Sequence, residues 1–474
     1  MKYKGWSTVV IIAFVFVIST NNKLATAATV PSPDILYSDW KSRFVTSSGA
    51  SGFLRVRVTE DNDVTVSEAQ GYGMLLSAYR ADKSTFDKLL SYTEKYLDPR
   101  GLMHWKIDKN GNVAGQNAAT DGDEDIAYAL LVAHSKWGEP YGGKAKIYIK
   151  NIFDYEVEPD TYVLKPGDVW GGSDITNLSY CAPAFYRAFA EFTGNQDWFK
   201  VIDRCYDIHE KAENTATGLV PDWTTIDGGS AVGLTHNPNK DNFSYNAIRV
   251  PWRLFMDYKW FGEPRAYNNI NLMAKFFAGE NSLYSGYTLP GSPTVNYFDT
   301  TFAAGIATAA AGSEEGAFAS KILEKLSSMN PSSYYGASLR TLALLLLSGN
   351  FPAVVLPAST GSSAPSPSPA PEPPPVGQYV IILEDPNDNQ EISGEKKIKA
   401  YIDNITLKNY TMTYSVDGSK EVPMADAAGM FKQIKVQFDS WTWNKAGPYK
   451  VTLTARDLSG NIIGTKLFSL FVKQ

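Results

Sequence analysis

The sequence predicts a large all-α domain, then a stiff spacer and a small all-β module. Two patterns and one compositional break carry this reading. Before residue 357 apolar residues recur every three or four positions, and after residue 377 they tend to alternate. Between the two stands PASTGSSAPSPSPAPEPPPVG, residues 357–377, whose alternating Pro and Ser/Ala cannot bury apolar surface and favour an extended chain. The expected parts are 28–356 helical, 357–377 spacer and 378–474 β module.

The helical part opens with SEAQGYGMLLSAYRA. EDIAYALLVAHSKWG follows, placing Ile126, Ala129, Leu130, Ala133 and Trp137 on one stripe, with Gly138 as a stop. APAFYRAFAEFTG, DWFKVIDRCYDIHEKA, AIRVPWRLFMDYKWFG, RAYNNINLMAKFFAG, TTFAAGIATAAAG and ASLRTLALLLLSG continue the series. Some of these segments are amphipathic and some are apolar nearly all round. A ring of buried helices inside a ring of half-exposed ones gives that mixture. Glycine-rich, aromatic loops lie between them, where functional residues tend to sit.

In the last part, QYVIILE, KKIKAYI, YTMTYSV, FKQIKVQF, YKVTLTARD and KLFSLFVK read as strands, divided by turn signals such as PNDN, VDGS and DLSGN. Six or seven short strands in so few residues predict a small immunoglobulin-like or fibronectin-like sandwich. Trp441 and Trp443 are its only tryptophans, which favours a spacing role over a binding one.

The first residues read as an export signal. Lys2 and Lys4 supply the positive start, Thr8 to Ile18 the short apolar run, and Ala25 and Ala27 a cleavage site after residue 27. A secreted, extracellular protein is expected. Lys plus Arg number 44 against 50 Asp plus Glu, a net charge of -6, which argues against nucleic-acid and anionic-membrane partners. The 11 Trp and 27 Tyr are amphipathic rings suited to a cleft that stacks on sugars. Cys181 and Cys205 are the only cysteines and both fall in helical patterns, their pairing left open. With four histidines and no Cys/His spacing of the zinc type, a His-based metal centre is not expected. A monomer is expected.

Three passages set carboxylates among aromatics and glycines. In VSEAQGYGM, Glu68 stands at a helix start, where it either complements the dipole or does chemistry. The adjacent GYGM keeps side chains small and allows a ligand to approach. In NAATDGDEDIAYALL, four carboxylates crowd a helix entry, where Asp121 or Asp123 can serve as a cap. In FSYNAIRVPWR, Asn246 and Arg249 share a face, and Pro251 falls near a first helical turn.

Together these passages resemble glycoside hydrolase family 8, secreted bacterial enzymes that cut β-1,4-linked polysaccharides. SEAQGYGM is similar to the acid-bearing motif and ATDGDEDIA to the family signature. GLMHWKID, YNAIRVPWR and SYYGASLRTLALLLLSGNF match in order and spacing, so the resemblance spans about residues 35–355. It implies an (α/α)6 barrel and an inverting mechanism, in which an acid protonates the leaving oxygen and a base on the opposite face activates water. It makes Glu68 the general acid and Asp121 the carboxylate that grips and distorts the sugar. Trp105 and Trp170 become stacking platforms, with Tyr245, Arg249 and Tyr335 lining the cleft. No cofactor is implied, because two carboxylates and water suffice.

Asn246 departs from the pattern. Many members carry an Asp there as the general base, and a chitosan-cutting branch with Asn recruits a Glu from the preceding loop. No Glu occurs between Gly218 and Tyr245. Asp222, Asp227 and Asp241 in that loop, and Asp121, are the remaining candidates. The resemblance implies an endo-glycosidase acting on cellulose or mixed-linkage β-glucan, with chitosan or xylan as alternatives. A polysaccharide-binding barrel lacking its base is the contrasting reading.

Overall fold

The structure is a computed structural model. It describes residues 30–172, 174–356, 381–387, 389–402, 410–417, 421–426, 432–438, 447–457 and 462–473. The expected export signal, the spacer, Trp441 and Trp443 lie outside the described residues.

Twelve α-helices are described: α1 Pro33–Phe44, α2 Ser67–Tyr79, α3 Lys83–Lys95, α4 Thr120–Trp137, α5 Tyr141–Glu156, α6 Pro183–Thr193, α7 Trp198–Ala212, α8 Val250–Phe261, α9 Pro264–Gly279, α10 Thr300–Ala311, α11 Gly316–Ser328 and α12 Tyr334–Leu347. Even-numbered helices pack on one another in series, α2 on α4 through to α10 on α12. They are buried over most of their surface, as their apolar sequences require. Odd-numbered helices bury one stripe, for example Trp198, Val201, Ile202, Cys205 and Ile208 of α7. The result is an (α/α)6 barrel. Two contacts close the inner ring: Tyr79 at the end of α2 stacks on Phe351 beyond α12, at 4.0 Å, and Tyr334 of α12 reaches Glu68 of α2.

Helices α1, α3, α5 and α11 were absent from the periodic reading, being outer helices with large solvent-facing surfaces. Two expectations change. Cys181 is not helical: Pro183 starts α6 and keeps the residue before it, Ala182, out of the helical region, so the helix does not extend back to Cys181. Cys181 pairs with Cys205 of α7, so a disulfide ties the chain entering α6 to the outer ring. The glycines of GYGM serve helix packing rather than ligand approach. A Cβ on Gly71 would stand 2.7 Å from Asp125 Cβ of α4, and one on Gly73 2.5 Å from Val56. Gly122 answers from the other side, with only 2.3 Å to Ser67 Oγ. This closeness brings the starts of α2 and α4 together.

The C-terminal part has two sheets. One runs, in spatial order, Ile381–Asp385, Gly394–Ile402, Lys432–Phe438, Ala425–Asp426. The other runs Gln390–Ile392, Ile462–Val472, Tyr449–Asp457, Tyr410–Val416, Val422–Pro423. All pairings are antiparallel except the first of the second sheet. Ile398 and Ala400 from one sheet and Val451, Leu453 and Leu470 from the other share a buried core. The nine described strands exceed the six or seven expected, because two- and three-residue edge pieces carry no readable alternation.

Candidate active site

Every inner helix presents its N-terminal end to one face of the barrel, and the candidate residues collect there. Glu68 and Asp121 are the second residues of α2 and α4. Ser179 and Tyr180 precede α6, and Asn246 and Arg249 precede α8. Asp299 caps α10 by accepting from Phe302 N, and Tyr334 and Tyr335 begin α12. Helix N-termini carry partial positive charge, a favourable setting for several carboxylates.

Arg249 is the hub. It is 2% exposed, and its Nη1 donates to Glu68 Oε2 at 2.8 Å and to Asp121 Oδ2 at 2.6 Å. Its Nη2 donates to Ser179 Oγ at 2.9 Å and to Asn246 Oδ1 at 3.2 Å, and Tyr180 lies against the guanidinium at 5.3 Å. Four residues on, Arg253 forms a second rung below it, with a bidentate contact to Asp125 at 2.7 and 3.1 Å and an ion pair to Glu124 at 3.2 Å. The pairs Arg249–Asp121 and Arg253–Asp125 share one helical spacing on both helices. The four carboxylates of the α4 entry thus have separate tasks. Asp123 accepts from Met103 N at 3.1 Å and from Tyr148 Oη at 2.5 Å. The N-cap position of α4 is Ala119, so, contrary to the sequence expectation, neither Asp121 nor Asp123 is the capping residue, although Asp121 Oδ1 accepts from the first-turn Gly122 N at 3.0 Å.

Glu68 keeps an opening to solvent, its side chain 16% exposed, and Tyr334 Oη donates to its Oε1 at 3.3 Å. Burial pushes its carboxyl up to about 7, Asp121 and Asp125 add to the rise, and Arg249 and Tyr334 oppose it. A carboxyl of that kind holds its proton near neutrality and can donate it.

The aromatic candidates line the approach. Trp105 and Trp170 are 41% and 42% exposed, unusual for indoles in a packed domain. Gly115 leaves room for the Trp105 indole, since a Cβ there would meet its Nε1 at 2.3 Å. Trp170 lies 5.3 Å from Trp223, and Trp223 lies 6.0 Å from Tyr180, a row leading from the rim towards Arg249. Tyr245 and Tyr335 are half-buried with engaged hydroxyls. Tyr245 donates to Asp299 at 2.5 Å, and Tyr335 donates to the Tyr245 carbonyl at 2.7 Å.

Of the loop carboxylates, only Asp222 reaches the site. Its Oδ1 accepts from Ser244 N, Asn246 N and Ala247 N at 3.1, 3.1 and 2.8 Å. Its Oδ2 accepts from Asn246 Nδ2 and Asn237 Nδ2, both at 3.4 Å. Asp227 is exposed, and Asp241 is turned to Ser230 at 2.6 Å and Lys240 at 3.6 Å.

The sequence profile of glycosyl hydrolases family 8 matches residues 10–349. The chain belongs to glycosyl hydrolases family 8. Among its relatives is Endoglucanase 2 of Ruminiclostridium josui, 46% identical over 329 residues, covering 67% of this chain and 70% of the relative. Endoglucanase A of Acetivibrio thermocellus is 43% identical over 332 residues, with 67% and 69% covered. The apo structure of a beta-1,3-1,4-glucanase from Paenibacillus sp. X4 superimposes with a TM-score of 0.64 at 28% identity, covering 69% of this chain and 96% of that one.

This family 8 chain is therefore a glycoside hydrolase. Sequence reading singled out Glu68, Asp121, Asn246 and Arg249, which meet within direct contact. It overlooked Ser179, Tyr180, Trp223 and Tyr334. Trp223 follows Asp222 directly, so the PDW triplet was the available signal.

Proposed function

We propose that the chain is an inverting endo-glycosidase that hydrolyses β-1,4-linked glucan, as cellulose or mixed-linkage β-glucan, with Glu68 as the general acid. The observation that carries this is the Glu68 carboxyl itself: partly open to the cleft, held by Arg249 and Tyr334, and kept protonated near neutrality by burial. The endoglucanase relatives support a glucan substrate. Asp121 takes the role of gripping the sugar. It shares the nitrogen Arg249 Nη1 with Glu68 at 2.6 and 2.8 Å, so the two carboxylates are closer than the roughly 6.5–9.5 Å that leaves room for an attacking water in an inverting pair.

In this reading the glucan chain lies against the exposed rings of Trp105 and Trp170, whose faces match the apolar faces of the sugars, with the buried Trp223 packed behind Trp170. Glu68 gives its proton to the glycosidic oxygen, and a water attacks the anomeric carbon from the opposite face. Export from the cell belongs to the same reading, supported by Lys2, Lys4, the apolar run Thr8 to Ile18, and Ala25 and Ala27. The two-sheet module fits an immunoglobulin-like spacer. Chitosan is the second substrate to consider, because the acidic site attracts ammonium groups.

Reducing-sugar release from barley glucan, carboxymethyl cellulose, chitosan and xylan tests the assignment. Cleavage of the two glucans, products whose first-formed anomer is opposite to the substrate's, and a loss of about 10²–10⁴-fold in Glu68→Gln are expected. A fully active Glu68→Gln variant overturns the acid assignment, and failure to cut any of the four overturns the enzyme reading.

A further inference from the structure

Asn246 cannot accept a proton near neutral pH, so the reaction needs another base. The amide of Asn246 bridges two groups: its Oδ1 accepts from Arg249, on the side of Glu68 and Asp121, and its Nδ2 points to Asp222. Asp222 is thus set apart from Glu68 by the Arg249 guanidinium and the Asn246 amide together, so the two carboxyls do not touch. Its two oxygens are unlike each other. Oδ1 is fully used by three backbone N–H groups, whereas both contacts to Oδ2 are 3.4 Å long and weak.

We propose that Asp222 is the general base of this enzyme, with Asn246 positioning the water between them. The inference rests on Glu68 being the acid. One O–H of the water donates to Asp222 Oδ2 and the other to Asn246 Oδ1. The water oxygen forms the new bond to the anomeric carbon as the glycosidic C–O bond breaks. Glu68 delivers its proton to the leaving oxygen, and Asp222 takes the proton the water loses. Solvent then returns the proton balance. Asp222 is 2% exposed, and this burial lifts its carboxyl to about 6 despite the bonds from Ala247, Asn246 and Ser244. Above that value it is ionised and ready to accept. An Asp at 246 would set a second carboxylate beside it, and two such neighbours do not both ionise easily. Asn at this position leaves Asp222 as the single charge.

Asp222 also shapes the entry to α8, and the test separates the two roles. In Asp222→Asn the amide carbonyl can still accept the three backbone N–H groups, but proton uptake is lost. The full-length chain is assayed on barley glucan and on a β-cello-oligosaccharyl fluoride, whose leaving group needs no proton. Asp222→Asn should fold normally, with KM within about threefold and kcat down about 10³-fold on both substrates. Glu68→Gln should fail on glucan yet cleave the fluoride, and should it stay active on glucan, the reading of Glu68 fails whatever Asp222 does. Asp222→Asn/Asn246→Asp, which moves the carboxylate by one position, should regain kcat to within about tenfold of wild type. A folded Asp222→Asn variant within tenfold of wild type on both substrates overturns the proposal. If Asp222→Asn does not fold, Asn246→Asp alone decides. Activity within about tenfold, with the acidic limb on the fluoride raised by about one pH unit, supports Asp222. A rise of about a hundredfold or more shows that the chain lacked a base.

Discussion

Arg249 Nη1 donates to Glu68 Oε2 at 2.8 Å, so the proposed acid has a permanent cation beside it. The contact lowers the Glu68 carboxyl while burial raises it, and burial prevails at about 7. For an acid that must be protonated, activity is lost as pH rises through that value. A base at about 6 sets the other limb, lost as pH falls through it. The profile of kcat/KM is expected to be a narrow bell between about 6 and 7.

Arg249→Met removes the opposing cation. The Glu68 carboxyl should then rise further, moving the alkaline limb to higher pH. The buried Asp121 also loses its partner, so kcat/KM should fall about a hundredfold or more. A pH series of initial rates reads both effects. An unmoved alkaline limb would mean that Glu68 does not set it.

Trp105→Ala and Trp170→Ala each remove an exposed ring from the approach rather than a core side chain. Each should raise KM on long glucans by about tenfold, or ~1.4 kcal/mol, with kcat and thermal midpoint little changed. Steady-state kinetics and a melting curve check this.

Arg253 is fully buried, and Asp125 and Glu124 with it. Arg253→Met leaves two carboxylates in an apolar layer, so urea unfolding should show a loss of about 3–5 kcal/mol. The same change in Arg265, which is partly exposed, should cost far less.

The inner helices were legible because a segment such as TTFAAGIATAAAG has no polar face, and a helix of that kind must be surrounded. Outer helices such as α11, with only Ile322 and Leu326 buried, gave no such signal. Glu68 and Asp121 stood out because carboxylates beside glycines at a helix entry are unusual. The glycines themselves were misread, since Gly71 admits α4, more than forty residues away along the chain, and Gly73 admits Val56. Asp222 stayed one of several candidates for a similar reason. Its bond to Asn246 spans 24 residues of loop, and no periodicity records where a loop returns. The tie between Arg249 and Asp121 spans 128 residues and shows only once the ring is closed.

The bond from Tyr334 to Glu68 joins positions 266 residues apart. It sutures the last inner helix to the first at the reacting carboxyl. A contiguous fragment that lacks α12 keeps the Arg249 contact but loses the Tyr334 one, so catalytic competence becomes a readout of complete circular assembly. During refolding, helices form from local contacts, while this junction needs nearly the whole domain in register. Recovery of glucan cleavage should lag behind recovery of the far-ultraviolet helical signal, the interval measuring the time the chain takes to find its own beginning.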